Sequence, residues 1–217
     1  MRKLLALVLV LALALPLLAV AEGTYELALV TDVGNIDDQS FNQFSWQGVK
    51  EYAAENGKTF AYYQPSEDST DARVESIITA VEKGAKAIVL PGYLFGETIA
   101  QAQGMFPETQ FVVIDINPAT DMPADYVPGK NVTFINYQEE QAGYLAGYAV
   151  VKDGFTRLGF LGGVAVPAVV RFGEGFVQGA DAAAKELSIQ VDIKYWYANS
   201  FAPNDSIKTK MGGWFTE

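Results

Sequence analysis

The sequence contains no cysteine and no histidine. It therefore has no thiol nucleophile, no disulfide and no Ser-His-Asp triad, and zinc sites built from cysteine and histidine are excluded. A lipid-modified N-terminal cysteine is excluded too, so the leader has no lipobox cysteine. We predict no catalytic residue, no metal ligand and no cofactor, with one acidic alternative left open below.

Basic residues are scarce, and two of them belong to a predicted leader. Met1-Arg2-Lys3 is a basic start, Leu4–Leu18 is an apolar run containing Pro16, and Ala19-Val20-Ala21 has the small-x-small pattern of a cleavage site. This pattern predicts a signal peptide over residues 1–21, because a membrane-spanning helix needs about 20 apolar residues. We expect an exported, extracytoplasmic protein in the periplasm, at the cell surface or secreted.

The remaining chain is strongly acidic. Without Arg2 and Lys3 it has 13 basic against 26 acidic residues, a net charge of −13. Such a charge argues against nucleic acid or an anionic membrane surface as a partner. A soluble extracytoplasmic protein fits this charge better.

Short apolar runs alternate with helical patterns from Tyr25 onward, which predicts an α/β fold with parallel sheets. We assign an N-terminal α/β lobe to residues 22–152 and the start of a second lobe to residues 153–217. The second lobe has only two strand candidates, Arg157–Leu161 and Val191–Tyr197. Because a parallel sheet needs cover on both faces, we expect this lobe to be incomplete and the sequence to be a fragment.

Three predicted strands end in residues suited to a ligand: Asp32, Gly92 and Asp115. The carboxyl ends of parallel strands meet at one edge of a sheet, where ligands bind in α/β folds. An aspartate there can accept hydrogen bonds from two neighbouring hydroxyl groups. The alternative for both aspartates is a helix cap or an Asx turn.

The stretch after Asp32 predicts a helix start. Ser40-x-x-Gln43 resembles a capping box, and Phe41 and Asn42 would then lie in the first helical turn, where a ring can stack on a base and an amide can read its edge. The alternatives are that Phe41 and Phe44 are core residues, and that Asp37 and Asp38 only stabilise the helix dipole. In the second lobe, Phe201 is an aromatic candidate. Arg171 is either a ligand contact or a solvated charge.

Several of these motifs together resemble the basic membrane protein (BMP) family. They are Asp32-Val-Gly-Asn-Ile-Asp37-Asp38-Gln-Ser40-Phe41-Asn42-Gln43 with Trp46-x-Gly48, the strand ending at Asp115, Gln141-Ala-Gly-Tyr-Leu-Ala-Gly-Tyr148, Arg171-Phe-Gly-Glu-Gly-Phe-Val-Gln-Gly179, and Asn199-Ser-Phe201. The resemblance implies a type I periplasmic-binding-protein-like fold with two Rossmann-like lobes. It also implies a nonenzymatic, monomeric receptor that hands a purine nucleoside to an ABC transporter permease.

The resemblance further implies roles for single residues. Phe41 and Phe201 would sandwich the base, Asn42 would read its edge, and Asp32 and Asp115 would lie near the base and ribose. Family members run well past residue 217, and many are lipoproteins. Two other functions stay open: a sugar-binding or sensory protein, and a calcium-dependent nucleoside hydrolase, since Asp-x-Gly-x-x-Asp-Asp after a strand is similar to the opening of that enzyme's metal site.

Overall fold

The structure is a computed structural model that describes residues 24–216. The predicted signal peptide lies outside the described residues. No helix within residues 24–216 is both long enough and apolar enough to cross a membrane.

Strands and helices alternate along the chain, as the sequence predicts. The first group of elements is β1 (Leu27–Val30), α1 (Phe41–Asn56), β2 (Phe60–Tyr63), α2 (Thr70–Glu82), β3 (Ala87–Pro91), a 3₁₀ turn (Tyr93–Phe95), α3 (Gly96–Met105), β4 (Gln110–Ile114) and β5 (Val132–Ile135). The second group is α4 (Glu139–Lys152), β6 (Arg157–Gly162), α5 (Pro167–Leu187), β7 (Asp192–Tyr197) and α6 (Asp205–Thr216). The prediction of an α/β fold is confirmed.

The first five strands form one sheet in the order β2-β1-β3-β4-β5. β1 pairs in parallel with both β2 and β3, and its residues Ala28, Leu29 and Val30 are fully buried. This burial is what an inner strand covered on both faces requires. β6 and β7 form a second sheet of two parallel strands, paired from Arg157 opposite Asp192 to Gly162 opposite Tyr197.

Contacts divide the chain into two compact units. The first runs through Val113 and includes Pro128–Thr133, and the second comprises Ile114–Val127 and the chain from Phe134 onward. This division places α4 in the second unit, whereas the boundary predicted at Lys152 left it in the first lobe. The physical reason is that α4 packs along α5. The predicted assignment of lobes itself stays a prediction.

Glycines allow α4 and α5 to touch backbone to backbone. A Cβ on Gly143 or Gly147 would run into the carbonyl oxygen of Phe172 or Phe176 of α5. The contact is reciprocal, because a Cβ on Gly175 or Gly179 would strike the carbonyl oxygens of Glu140 and Tyr144 in α4. The glycines of the Gln141–Tyr148 stretch therefore serve close helix packing.

The last helix is longer than its sequence predicts. The sequence predicts a helix-like piece from Asp205 to about Met211; Gly212 and Gly213 follow it, and glycine weakens helices. The helix continues through Thr216, and Trp214 reaches β6, where a Cβ on Gly159 would lie only 2.7 Å from its ring. Tertiary packing of Trp214 thus outweighs the unfavourable local propensity.

Gly179→Ala should lower the free energy of unfolding by about 1–3 kcal/mol, because the added methyl group forces α4 and α5 apart. The matched control is Gly48→Ala in α1, where a Cβ has no heavy atom within 4 Å. That change should instead stabilise the protein by about 0.5–1 kcal/mol, since alanine favours helix. Urea denaturation measures both. Equal effects of the two changes would contradict the close-contact interpretation.

Candidate functional site

Asp32 lies two residues after the end of β1, and hydrogen bonds hold one of its carboxylate oxygens in place. Oδ1 accepts hydrogen bonds from Nδ2 of Asn42 at 2.7 Å and from the N–H of Gly34 at 2.8 Å. Neither bond uses Oδ2, which lies 3.4 Å from where Gly92 would carry a Cβ. Gly92 has φ +115°, a conformation that favours glycine. The first unit therefore brings Asp32, Asn42 and Gly92 together.

Asn42 is buried, with 1% of its surface exposed, and its amide is engaged inside the unit. Nδ2 donates to Oδ1 of Asp32 and, at 2.8 Å, to Oδ2 of Asp38, while Oδ1 accepts from the N–H of Asp32 at 3.3 Å. These contacts give Asn42 the task of fixing the Asp32 carboxylate. Its predicted role of reading a base edge stays a prediction, and both of its N–H bonds are already used.

Asp38, and not Ser40, caps helix α1, so the predicted capping box is wrong. The Ser40 side chain makes no capping hydrogen bond. Asp38 instead accepts from the backbone N–H groups of Ser40 at 2.8 Å, Gln43 at 3.1 Å and Asn42 at 3.3 Å. Gln43 reaches back to the N–H of Gln39, one residue before the expected partner. Burial acts to raise the pKa of Asp38, but these hydrogen bonds outweigh it and lower the pKa.

Phe41, the first residue of α1, is 39% exposed, and Phe44 is 62% exposed. The interpretation of both rings as core residues is therefore not supported. The aromatic contact of this helix with the sheet is made by Trp46, which packs edge-on against Phe60 and Tyr62 with ring centroids 5.4 Å apart in each case. The ring of Phe41 is partly exposed, and its predicted contact with a ligand stays a prediction.

Asp115 follows β4 in the second unit and has an unusual conformation. Its N–H donates to the carbonyl oxygen of Ile135, which extends the pairing with β5 by one residue, and its φ of +71° then turns the chain. Its side chain is buried, and Oδ1 has no hydrogen-bond partner. Backbone strain and a buried polar atom without a partner both occur preferentially at ligand sites.

Glu139, in the first turn of α4, lies beside Asp115 and was not among the predicted site residues. It is only 2% exposed, and its Oε2 accepts from Nε of Arg171 at 2.7 Å, while Oε1 has no partner. Arg171 is therefore an ion-pair partner of a buried carboxylate and not a solvated charge. The sequence offered little signal for Glu139, because acidic residues in a first helical turn are usually explained by the helix dipole.

The pKa values of Asp115 and Glu139 are shifted in opposite directions. Burial raises the pKa of Asp115 to about 7, and the hydrogen bond with Glu139 and the charge of that residue act in the same direction. Burial also acts to raise the pKa of Glu139, but hydrogen bonds from Arg171 and from the backbone outweigh it and lower the pKa. Arg171 thus keeps the negative charge on Glu139, which leaves Asp115 as the group that holds a proton.

Phe201 follows β7 and is 55% exposed. It lies against Gly163 after β6, where a Cβ would come within 2.8 Å of its ring. Its predicted role in a base sandwich stays a prediction.

Arg171 also lines a groove of about 580 Å³ on α4 and α5, whose walls include Gln141, Tyr144 and Gln178. None of the other predicted site residues lines that groove.

The acidic turn after β1 is built differently from a calcium site. A calcium ion would need oxygens of Asp32 and Asp38 to converge on it. Here an N–H₂ group, that of Asn42, stands between those oxygens and donates to both. Within residues 24–216, no group of three or more acidic side chains is arranged to hold a metal ion. The Asn42 geometry favours the receptor over the hydrolase.

The parallel sheets with helices between their strands form a fold of the type I periplasmic-binding-protein-like class. The fold is similar to that of a solute-binding protein of an ABC transporter system from Aeropyrum pernix, with a TM-score of 0.69 and 22% identity over 88% of this chain and 52% of that one. A second such protein, from Conexibacter woesei, has a TM-score of 0.65 and 20% identity, covering 88% of this chain and 60% of its own.

The chain belongs to the Bmp family of PnrA-like ABC transporter substrate-binding proteins, whose model matches residues 25–209. It is 31% identical to the ABC transporter nucleoside-binding protein BmpA of Lactococcus lactis, over 84% of this chain and 49% of the relative. Basic membrane protein A of Borreliella burgdorferi is 29% identical, with coverage of 86% and 52%. The predicted family is confirmed, and the chain spans about half the length of these relatives.

Asp38→Ala should lower the free energy of unfolding by about 1–2 kcal/mol, because three N–H groups at the start of α1 lose their acceptor. Ser40→Ala, the control, should cost far less, since its hydroxyl does not cap the helix. Urea denaturation at neutral pH compares the two variants. The difference should disappear as the pH falls through the lowered pKa of Asp38. A larger loss in the Ser40 variant would restore the capping-box interpretation.

Proposed function

We propose that this chain is the ligand-binding part of an extracytoplasmic receptor that delivers a purine nucleoside to an ABC transporter permease. The observation that carries the proposal is the buried Asp115 carboxyl after β4, which meets no hydrogen-bond donor within residues 24–216 apart from its neighbour Glu139. A buried polar oxygen costs about 1–3 kcal/mol when it stays unpaired, so it favours a ligand that supplies a hydrogen bond. The hydroxyl groups of a ribose are donors of this kind.

Asp32 supports the same reading in the first unit. Its anchored Oδ1 fixes the direction of the carboxylate, and the bare backbone of Gly92 leaves space beside Oδ2. A preorganised acceptor of this type binds a hydroxyl or amine donor without first losing rotational freedom. We assign Asp32 to the polar part of the ligand.

Phe41 supports an aromatic ligand part. An exposed ring at the start of a helix, beside the Asp32 cluster, is a stacking surface for a base. We assign Phe201, exposed after β7, to the same type of contact. The lactococcal relative is named a nucleoside-binding protein, which agrees with this choice of ligand.

A sugar is the other ligand class that these groups suit, because hydroxyl donors would satisfy Asp32 and Asp115 equally well. The aromatic contact separates the two classes. A nucleoside receptor should bind adenosine, guanosine or inosine better than free ribose, whereas a sugar receptor should not. Chemical-shift titration of the amides of Phe41, Asn42 and Asp115 detects even millimolar binding. Ribose binding as tight as nucleoside binding would favour the sugar receptor, and no response to any nucleoside would refute the proposal.

Phe41→Ala should weaken nucleoside binding by about 1–3 kcal/mol, the usual loss when a base loses its stacking partner. Without ligand, the melting temperature should hardly change, because the ring is exposed. Phe44→Ala is the matched control, one turn further along α1 with a ring that is even more exposed, and it should bind like the unmodified chain. Unchanged affinity together with a large loss of stability in the Phe41 variant would show that Phe41 is structural.

Asp115→Ala should weaken binding of a nucleoside by about 1–3 kcal/mol and leave binding of the free base unchanged. The reason is that only the ribosylated ligand brings hydroxyl groups to the buried oxygen. The two affinities can be compared by calorimetry or chemical-shift titration. Equal losses for nucleoside and base would show that Asp115 does not contact the ribose.

A further inference from the structure

Asp115 and Glu139 are two buried carboxyl groups of the second unit, and one cation, Arg171, acts on both of them. Asp115 is 6% exposed and Glu139 is 2% exposed, and each has one oxygen with no hydrogen-bond partner. Arg171 is bound to Glu139 through Nε at 2.7 Å. Its charge is therefore committed to one of the two carboxyl groups, and the other lacks a cation of its own.

A third acidic residue, Asp121, adds to the excess of negative charge around Asp115. The ionisable groups that act on Asp115 are Glu139 from α4, Arg171 from α5 and Asp121 from the loop after β4. Asp121 is an anion that accepts hydrogen bonds from the N–H of Asn117 and the hydroxyl of Thr120. Two adjacent buried carboxylates with one cation and a further anion repel each other, and such pairs retain a proton.

We propose that Glu139 and Arg171 are positioning residues that leave one proton on the Asp115–Glu139 pair at neutral pH, so that Asp115 meets its ligand as an uncharged carboxyl group. The proton lies between the two carboxyl groups, and the negative charge stays on Glu139, where the hydrogen bond from Arg171 stabilises it. A neutral Asp115 carboxyl keeps oxygen lone pairs that can accept a hydrogen bond from a ligand. This inference rests on the proposed function in one respect, that Asp115 contacts the ligand. It specifies an uncharged, hydroxyl-bearing ligand, because a neutral acceptor offers no extra attraction to an ammonium group.

The direct test is the titration of the Asp115 carboxyl carbon by NMR in the chain without ligand. We expect a midpoint near pH 7, in keeping with the raised pKa of Asp115. In Glu139→Gln the neighbouring charge is gone and Arg171 is free to turn to Asp115, so the midpoint should fall by at least about one pH unit, a tenfold loss of proton affinity. Glu140→Gln is the matched control, because it removes an exposed charge from the same helical turn.

Two outcomes overturn the inference. One is an Asp115 midpoint near its ordinary value of 3.8 in the unmodified chain, and the other is an equal fall in the Glu139 and Glu140 variants. If Glu139→Gln does not fold, Asp115→Asn replaces it, since asparagine mimics the neutral acid.

The raised pKa means that the folded chain binds more protons than the unfolded chain between about pH 4 and pH 7. The stability of the unmodified chain relative to Asp115→Asn should therefore fall as the pH rises from 5 to 7, and a constant difference contradicts the inference.

Ligand affinity separates this inference from the proposed function. If Asp115 acts as a neutral acceptor, Asp115→Asn should bind adenosine with an affinity comparable to that of the unmodified chain, whereas Asp115→Ala should lose about tenfold or more. If Asp115 acts as an anion, both variants should lose affinity alike, which contradicts the inference. If the unmodified chain binds no nucleoside, the proposed function fails while the carboxyl titration still decides the protonation of Asp115.

Discussion

The close approach of α4 and α5 is the constraint on which the second unit depends. Four glycines let the two backbones touch, and two of those contacts, at Gly143 with Phe172 and at Gly175 with Glu140, lie next to Glu139 and Arg171. Bulkier residues at these positions would push the two helices apart. The hydrogen bond from Nε of Arg171 to Oε2 of Glu139, now 2.7 Å long, would then be lost. The ion pair beside Asp115 thus depends on backbone packing, so glycines in two helices influence the charge at a strand end that lies earlier in the chain.

The first unit fixes its candidate residue in a different way. Asp32 is held by a local network in which Asp38 caps α1 and Asn42 links the two carboxylates. A Cβ on Gly34 would lie 2.6 Å from Nδ2 of Asn42, so even the turn between them leaves no space for a side chain. The network requires an acid, an amide and a glycine at fixed spacing. The Asp32–Asn42 motif is therefore first of all a structural device that presents one carboxylate oxygen.

The sequence predicted the elements well because most of them are local. Strand ends at Val30 and Ile114 follow from runs of apolar residues, and the cap of α2 by Ser69, which accepts from the N–H of Ala72, follows from neighbouring residues alone. The missed features depend on distant partners. Glu139 acquires its role from Arg171, 32 residues later, and α6 continues past two glycines because Trp214 finds β6. No local pattern contains such information.

The same distinction limits what family membership says about the ligand. The motifs that carry the family resemblance include the Asp32–Asn42 turn and the glycines of α4 and α5, and most of their side chains serve packing or hold other side chains in place. A relative can keep all of these features and bind a different solute. Under the proposed function, one ligand would be distinguished from another by the few groups left over: the exposed ring of Phe41, the Oδ2 oxygen of Asp32, and the proton that we propose for Asp115. If that proton depends on Glu139 and Arg171 as we propose, a substitution at Glu139 would change ligand preference through the charge of its neighbour Asp115.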